Sequence, residues 1–184
     1  MLKYVLLGFL NYTPMTGYEL KQFMDESTSN FWHAKQSQIY TTLKSLEEDG
    51  MLESHIEEQE ARPDRRVYEI TDAGRNDLDL WLGQPETGLE SRKETLLVKL
   101  FFSANTDQEK LLTQLRLLRD LHQGQMEQYE TATSEFIRSI ADGMPQLAKD
   151  AELWDATRRF GVLFEEMYVR WLDETIGRVE QWQG

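Results

Sequence analysis

The sequence predicts a mainly α-helical protein with a small β wing: an N-terminal winged helix-turn-helix followed by a C-terminal α-helical, coiled-coil-like dimerisation domain. Three observations carry this expectation. Up to Gly50 the apolar residues recur at a helical period in three segments joined by short polar links. Two β-forming runs, Met51 to Ile56 and Arg66 to Ile70, then flank the polar segment Glu57 to Arg65. From about Glu90 onward, aliphatic and aromatic residues keep spacings of three, four or seven over long stretches. The expected division is residues 1–82 for the winged domain, 83–89 for a linker marked by Pro85 and Gly88, and 90–184 for the helical domain.

Leu2 to Leu10 has the apolar density of a short buried helix, with Leu6, Leu7 and Leu10 as its core face, ending before Asn11-Tyr12-Thr13-Pro14. Thr16 stands where an N-cap belongs, and Glu19 three residues on completes a capping-box pattern. Tyr18, Leu20, Phe23 and Met24 supply apolar contacts along the helix that follows, which the cluster Ser27 to Asn30 ends. After Phe31-Trp32 comes a third helix, about Ser37 to Asp49, closed by Gly50, a residue suited to the left-handed conformation. Its pattern separates two faces. Ile39, Leu43 and Leu46 share one stripe, while Ser37, Thr41, Lys44, Ser45 and Glu48 lie opposite, with Gln38 and Tyr40 flanking and Thr42 beside them.

The net charge is −13, from 33 acidic and 20 basic residues, so any nucleic-acid binding must come from a local patch rather than a global field. Such a patch is visible. The twenty residues Ser27 to Leu46 contain His33, Lys35 and Lys44 but no Asp or Glu. The outer face of the third helix offers amide, hydroxyl and ammonium groups that can reach base edges or phosphate oxygens. An amphipathic helix with a merely solvated outer face has the same pattern, and the following hairpin is what separates the two. Its tip carries Arg62, Pro63, Asp64, Arg65 and Arg66, which suits contact with phosphates or a minor groove, although pairing with Glu57, Glu58 and Glu60 is the competing use of the same guanidinium groups. A winged helix-turn-helix approaches DNA with both elements.

Residues 6–81 resemble the PadR family of winged-helix transcriptional regulators. The resemblance rests on Gly17-Tyr18-Glu19-Leu20, Phe31-Trp32, Gln38-Ile39-Tyr40 with Thr42-Leu43, Leu46-Glu47-Glu48-Asp49-Gly50, Arg62-Pro63-Asp64-Arg65-Arg66-Val67-Tyr68, and Thr71-Asp72-Ala73-Gly74-Arg75. Two positions depart from the family pattern: Thr41 stands where proline usually follows the tyrosine, and Ala61 where glycine usually precedes Arg-Pro. The resemblance implies a sequence-specific regulator acting as a homodimer on double-stranded DNA with inverted half-sites. The residues expected to touch DNA are Lys35, Ser37, Gln38, Tyr40, Thr41, Thr42, Lys44, Arg62, Arg65 and Arg66. Gln38 is the expected base reader, pairing bidentately with adenine.

Thr71 can cap a fourth helix to about Leu82, with Leu78, Trp81 and Leu82 closing the winged domain. Beyond the linker, Leu96, Leu97, Leu100 and Phe101 define one amphipathic segment, and Thr106 with Glu109 is expected to cap the next. That helix has a seam of Leu111, Leu115, Leu118, His122, Met126, Tyr129, Phe136 and Ile140, ended by Gly143 and Pro145. A last helix, about Asp150 to Trp182, carries Leu153, Phe160, Leu163, Phe164, Met167, Tyr168, Trp171, Leu172, Ile176 and Val179, an arc too broad for one neighbour. A second subunit is therefore expected, paired through Leu111, Leu115, Leu118, Phe160, Phe164, Met167 and Trp171. The layout is similar to the longer PadR branch of virulence-gene activator type, which implies antiparallel pairing of coiled helices.

Other chemistries find no pattern. His33, His55 and His122 are scattered, and there is no HExxH, phosphate loop or nucleophile motif, so no enzyme, cofactor or metal site is expected. Cysteine is absent and the longest apolar run, Tyr4 to Leu10, is far short of a membrane span or secretory signal, so a soluble, cytoplasmic protein is expected. Trp154, Trp171 and Trp182, with Tyr168 and Phe164, leave room for a small aromatic or apolar effector at the subunit interface, against which stands ordinary core packing. A winged-helix protein-interaction module without DNA binding is the reading from another class. The acid-free stretch speaks against it.

Overall fold

The computed structural model describes residues 1–28, 31–58, 64–88 and 93–182. The chain forms two compact units, Met1–Leu89 and Glu90–Gly184. The first contains helices α1 (Leu2–Tyr12), α2 (Gly17–Ser27), α3 (Gln36–Glu48) and α4 (Asp72–Leu82), with strands β1 (Met15–Thr16), β2 (Leu52–Glu57) and β3 (Arg65–Ile70). The strands make an antiparallel sheet of order β1-β3-β2, in which Leu52 faces Ile70 and Glu57 faces Arg65.

Leu6, Leu7 and Leu10 of α1, Leu20 and Met24 of α2 and Ile39, Leu43 and Leu46 of α3 meet in one core, each at most 2% exposed. Each of these side chains contributes about 1.5–3 kcal/mol by leaving water, which fixes the polar face of α3 outward. The capping box at α2 is formed as the sequence predicts: the Glu19 amide donates to Thr16 Oγ1 at 3.2 Å and the Thr16 amide to a Glu19 carboxylate oxygen at 2.7 Å. Thr71 likewise accepts from the Gly74 amide and donates to the Gly50 carbonyl, tying the start of α4 to the end of α3. Gly50 closes α3 with a φ of 71°, a conformation in which a Cβ would crowd the following carbonyl.

Several boundaries differ from expectation. Helix α1 runs two residues beyond Leu10, because only the residue immediately before Pro14 is barred from the helix: Thr13 is extended, with φ −164° and ψ 151°. β1 was not anticipated at all; it pairs Met15 with Tyr68 and Thr16 with Val67. Tyr18 is exposed rather than packed, and so is Leu82; of the other two residues expected to close the winged domain, Leu78 is buried and Trp81 stacks on Tyr4 with centroids 4.4 Å apart.

The second unit comprises α5 (Thr95–Phe101), α6 (Gln108–Gln128), α7 (Ser134–Gly143) and α8 (Ala148–Glu180), with a π-helical turn at Tyr129–Thr133 joining α6 to α7. The N-cap of α6 is Asp107, which accepts from the Lys110 amide, and not Thr106. α6 and α8 pack along each other around Leu111, Leu112, Leu115, Tyr168, Leu172 and Val179. Among the described residues of this unit one charged side chain is buried, Glu165, and His122 Nδ1 lies against its carboxylate. Gln108 of α6 donates to the Val179 carbonyl at 2.7 Å, Arg116 pairs with Glu180 and Arg119 with Asp173, so polar contacts flank the apolar seam. Among the described residues no helix is long and apolar enough to cross a membrane, and no group of His, Asp and Glu is placed to hold a metal ion.

Candidate nucleic-acid interface

The interface is built on α3. Ser37, Gln38, Tyr40, Thr41 and Lys44 are exposed on its outer side, Thr42 is half-buried, and Lys35 precedes its first turn. No carboxylate lies on α3 before Glu47. Its first-turn amides and macrodipole add partial positive charge, which favours a phosphate near this end.

The side chains are already engaged with the backbone in ways that set what they can offer. Thr41 Oγ1 donates to the Ser37 carbonyl at 2.9 Å and Thr42 Oγ1 to the Gln38 carbonyl at 2.8 Å. With its proton committed, each hydroxyl presents lone pairs and a methyl group outward, suited to a base amino group or a thymine methyl. Gln38 Oε1 accepts from the Lys35 amide at 2.9 Å. Bidentate pairing with adenine uses the second lone pair of that oxygen together with the amino group, so the bond from the Lys35 amide fixes the orientation in which Gln38 meets a base. The sequence pattern exposes the residue; its engagement with Lys35 sets how it is presented.

Tyr40 is positioned by α2. Its ring lies over Gly17, where an added Cβ would come within 2.5 Å of Tyr40 Cε1, so the first turn of α2 accepts this ring only because the residue there is glycine. Tyr40 remains 42% exposed, free on the side away from Gly17.

Among the described residues, Arg65 and Arg66 of the wing pair with carboxylates of their own chain, the competing use that the sequence leaves open. Arg62 lies outside the described residues. Arg65 pairs with Glu57 across the hairpin at 2.6 Å and with Glu19 of α2 at 3.4 Å. Arg66 donates from Nη2 to both oxygens of Glu47 on α3, at 2.8 and 2.6 Å, and from Nε to Ser54 Oγ at 2.8 Å. Its guanidinium also sits 5.4 Å from the centroid of the Tyr68 ring. The carboxylates the sequence offered as competitors were Glu57, Glu58 and Glu60; Glu57 is one partner, but Glu19 and Glu47 come from other elements. Hydrogen bonds from Ser54, then from Arg66, hold the Glu47 carboxyl below the usual carboxylate range, and the contact with Arg65 does the same for Glu57. Lys44 is 3.7 Å from Glu48, an exposed helical pair of small energetic weight.

The residues expected to pair subunits divide into two groups. Leu111 and Leu115, at 3% and 0% exposure, lie in the packing of α6 on α8, and Leu118 is half-buried against the same cluster. Phe160 and Met167 are exposed, with Phe164 and Trp171 half-buried between the two faces of α8. Trp154 and Trp171 are seventeen positions apart on α8, about 25 Å at 1.5 Å per residue, so one protomer does not gather the three tryptophans into a common site. A cleft of ≈ 330 Å³ in this unit is lined instead by residues including Leu96, Leu117, Leu118, His122 and Tyr168.

A recognition helix with a polar, carboxylate-poor start, set beside a two-stranded wing, defines the class of winged-helix DNA-binding transcriptional regulators. Comparison with known proteins agrees. Residues 6–80 match the transcriptional regulator PadR-like family and residues 92–180 the virulence activator alpha C-terminal family. The chain is 30% identical over 190 residues to the probable transcriptional regulator Rv1176c of Mycobacterium tuberculosis, covering 98% of each. Its fold is similar to that of Bacillus subtilis PadR in complex with operator DNA, with TM-score 0.82 and 23% identity over 97% of each chain. It is also similar to the Vibrio cholerae virulence activator AphA, with TM-score 0.74 and 26% identity over 98% of each chain. The chain belongs to the PadR-like family of transcriptional regulators.

Proposed function

We propose that the chain binds its operator as a homodimer, setting α3 of each subunit in the major groove of one of two inverted half-sites, with the wing on the adjacent backbone or minor groove. The observation that carries this is the start of α3: Lys35, Ser37, Gln38, Thr41 and Lys44 are exposed together, with no carboxylate until Glu47, in a chain of net charge −13. The similarity to a PadR fold solved with operator DNA supports the same docking. Gln38, Tyr40, Thr41 and Thr42 face bases, while Lys35, Ser37, Lys44, Arg62 and Arg65 neutralise or position phosphates.

Residues 1–82 form the DNA-binding domain in this reading, 83–89 the linker and 90–184 the pairing domain. The support for pairing is the outer stripe of α8. Leu153, Phe160, Leu163 and Met167 are 68, 61, 48 and 51% exposed and recur at coiled-coil spacing, on the side of the helix away from Leu172 and Val162. An apolar stripe of this length is normal at an interface and costly in water. Binding of the full-length protein to duplexes carrying one or two half-sites tests the proposal: the two-site duplex should take a dimer far more tightly. Equal affinity for both duplexes contradicts paired recognition.

A further inference from the structure

The three contacts that join Glu47, Ser54 and Arg66 connect elements the DNA-binding reading uses separately. Glu47 lies in the last turn of α3, Ser54 in the middle of β2 and Arg66 near the start of β3. Ser54 Oγ donates to Glu47 Oε1 at 2.6 Å and accepts from Arg66 Nε at 2.8 Å, and Arg66 Nη2 closes the triangle on both Glu47 oxygens. All four bonds, 2.6 to 2.8 Å long, are charge-assisted, so the geometry of one corner constrains that of the others. Arg66 is thus occupied on two of its three nitrogens by groups of its own chain, and the Tyr68 ring lies against its guanidinium.

We propose that Glu47 and Arg66 are positioning residues that fasten the wing to the recognition helix at a fixed spacing, and that Arg66 is not a phosphate anchor. This deepens the DNA-binding reading and rests on it. A winged regulator must present helix and wing to one duplex together. If the wing is held before binding, its ordering is not charged against the encounter, whereas a loose wing must be ordered at the cost of affinity. The carboxylate of Glu47 makes sense on this account. A carboxylate beside DNA repels phosphate, and its presence at the end of α3 is explained by what it holds.

The test uses the full-length protein and a duplex enriched by the wild type from a random-sequence pool, titrated over a range of salt. Glu47→Ala and Arg66→Ala should each weaken binding by about tenfold, the loss expected of one charged hydrogen-bond network. The double variant should be no weaker than either single, because both changes cut one tether. The slope of log affinity against log salt should stay unchanged. Tighter binding by Glu47→Ala, or an Arg66→Ala slope shallower by about 1.8 for a dimer, would mean that Arg66 is an anchor restrained by Glu47, and the proposal fails. Failure of the wild type to enrich any duplex would remove the DNA-binding reading instead. The tether is then judged in the free protein by the Arg66 Nε–H resonance, which should be slow to exchange in the wild type and lose that protection in Glu47→Ala. An unprotected Nε–H in the wild type overturns the tether itself.

Discussion

The Tyr40 ring on the recognition helix covers Gly17 at the start of the preceding helix so closely that a single methyl group there would lie 2.5 Å from Cε1. Gly17→Ala should therefore force the ring to move, at a cost near the lower end of the about 1–3 kcal/mol of overpacking because the atoms displaced are the far end of a side chain that can turn into solvent. Combining it with Tyr40→Leu should recover most of the melting temperature while leaving DNA affinity low, since the ring is absent from the interface. Equal melting temperatures for wild type and Gly17→Ala would show that the contact yields without cost.

Gln38 joins a structural and a recognition role that one substitution separates. In Gln38→Glu the carboxylate can still accept from the Lys35 amide, and a negative charge in the first turn of α3 is favourable by about 0.3–1 kcal/mol. The variant should melt no lower than the wild type yet bind DNA much more weakly, because it has lost its amino donor and gained a charge facing phosphate. Lower stability together with unchanged binding would place Gln38 in the fold alone.

The two faces of α8 give opposite outcomes. Met167→Glu alters an exposed position and should yield a folded monomer, visible by sedimentation with helical circular dichroism retained. Leu115→Ala removes a fully buried side chain between α6 and α8 and should cost about 2–5 kcal/mol without releasing subunits first. A folded dimer for Met167→Glu would exclude this stripe from the interface.

Glu47 supplies a pH dependence with a definite sign. Its carboxyl titrates below the usual range when folded, because Ser54 and Arg66 bond the charged form. Its contribution to stability is complete above the ordinary carboxylate range and is lost as pH falls through the lowered value. Melting curves from neutral to acid pH should show wild type and Glu47→Gln converging at the acid end. A gap between them that persists unchanged would mean that the contact does not distinguish the two protonation states.

The N-terminal fold was legible because its signals are local. Leu6, Leu7 and Leu10, or Ile39, Leu43 and Leu46, declare a buried face through spacing alone, and Thr16 with Glu19 declares a helix start. Asp107 displaced Thr106 as a cap because both are competent neighbours and only the turn geometry chooses between them. β1 is two residues long, too short for an alternation to be seen. Glu57 was legible as a partner of Arg65, but Glu19 and Glu47 were hidden for another reason: they lie 46 and 19 positions away from Arg65 and Arg66 and meet the wing only through the tertiary fold. Helical spacing likewise identified two apolar faces in the second half without saying which one the chain consumes itself. Leu111 and Leu115 turned inward, and Phe160 and Met167 remained outside.

Selection of duplexes from a random-sequence pool by the full-length wild type, followed by sedimentation of the complex, tests paired recognition most directly. The enriched duplexes should contain inverted half-sites with centres one helical turn apart, roughly 34–36 Å, or a multiple of it, and each should carry two copies of the chain. Enrichment of a single unrepeated site bound by one copy, or no enrichment at all, would contradict it.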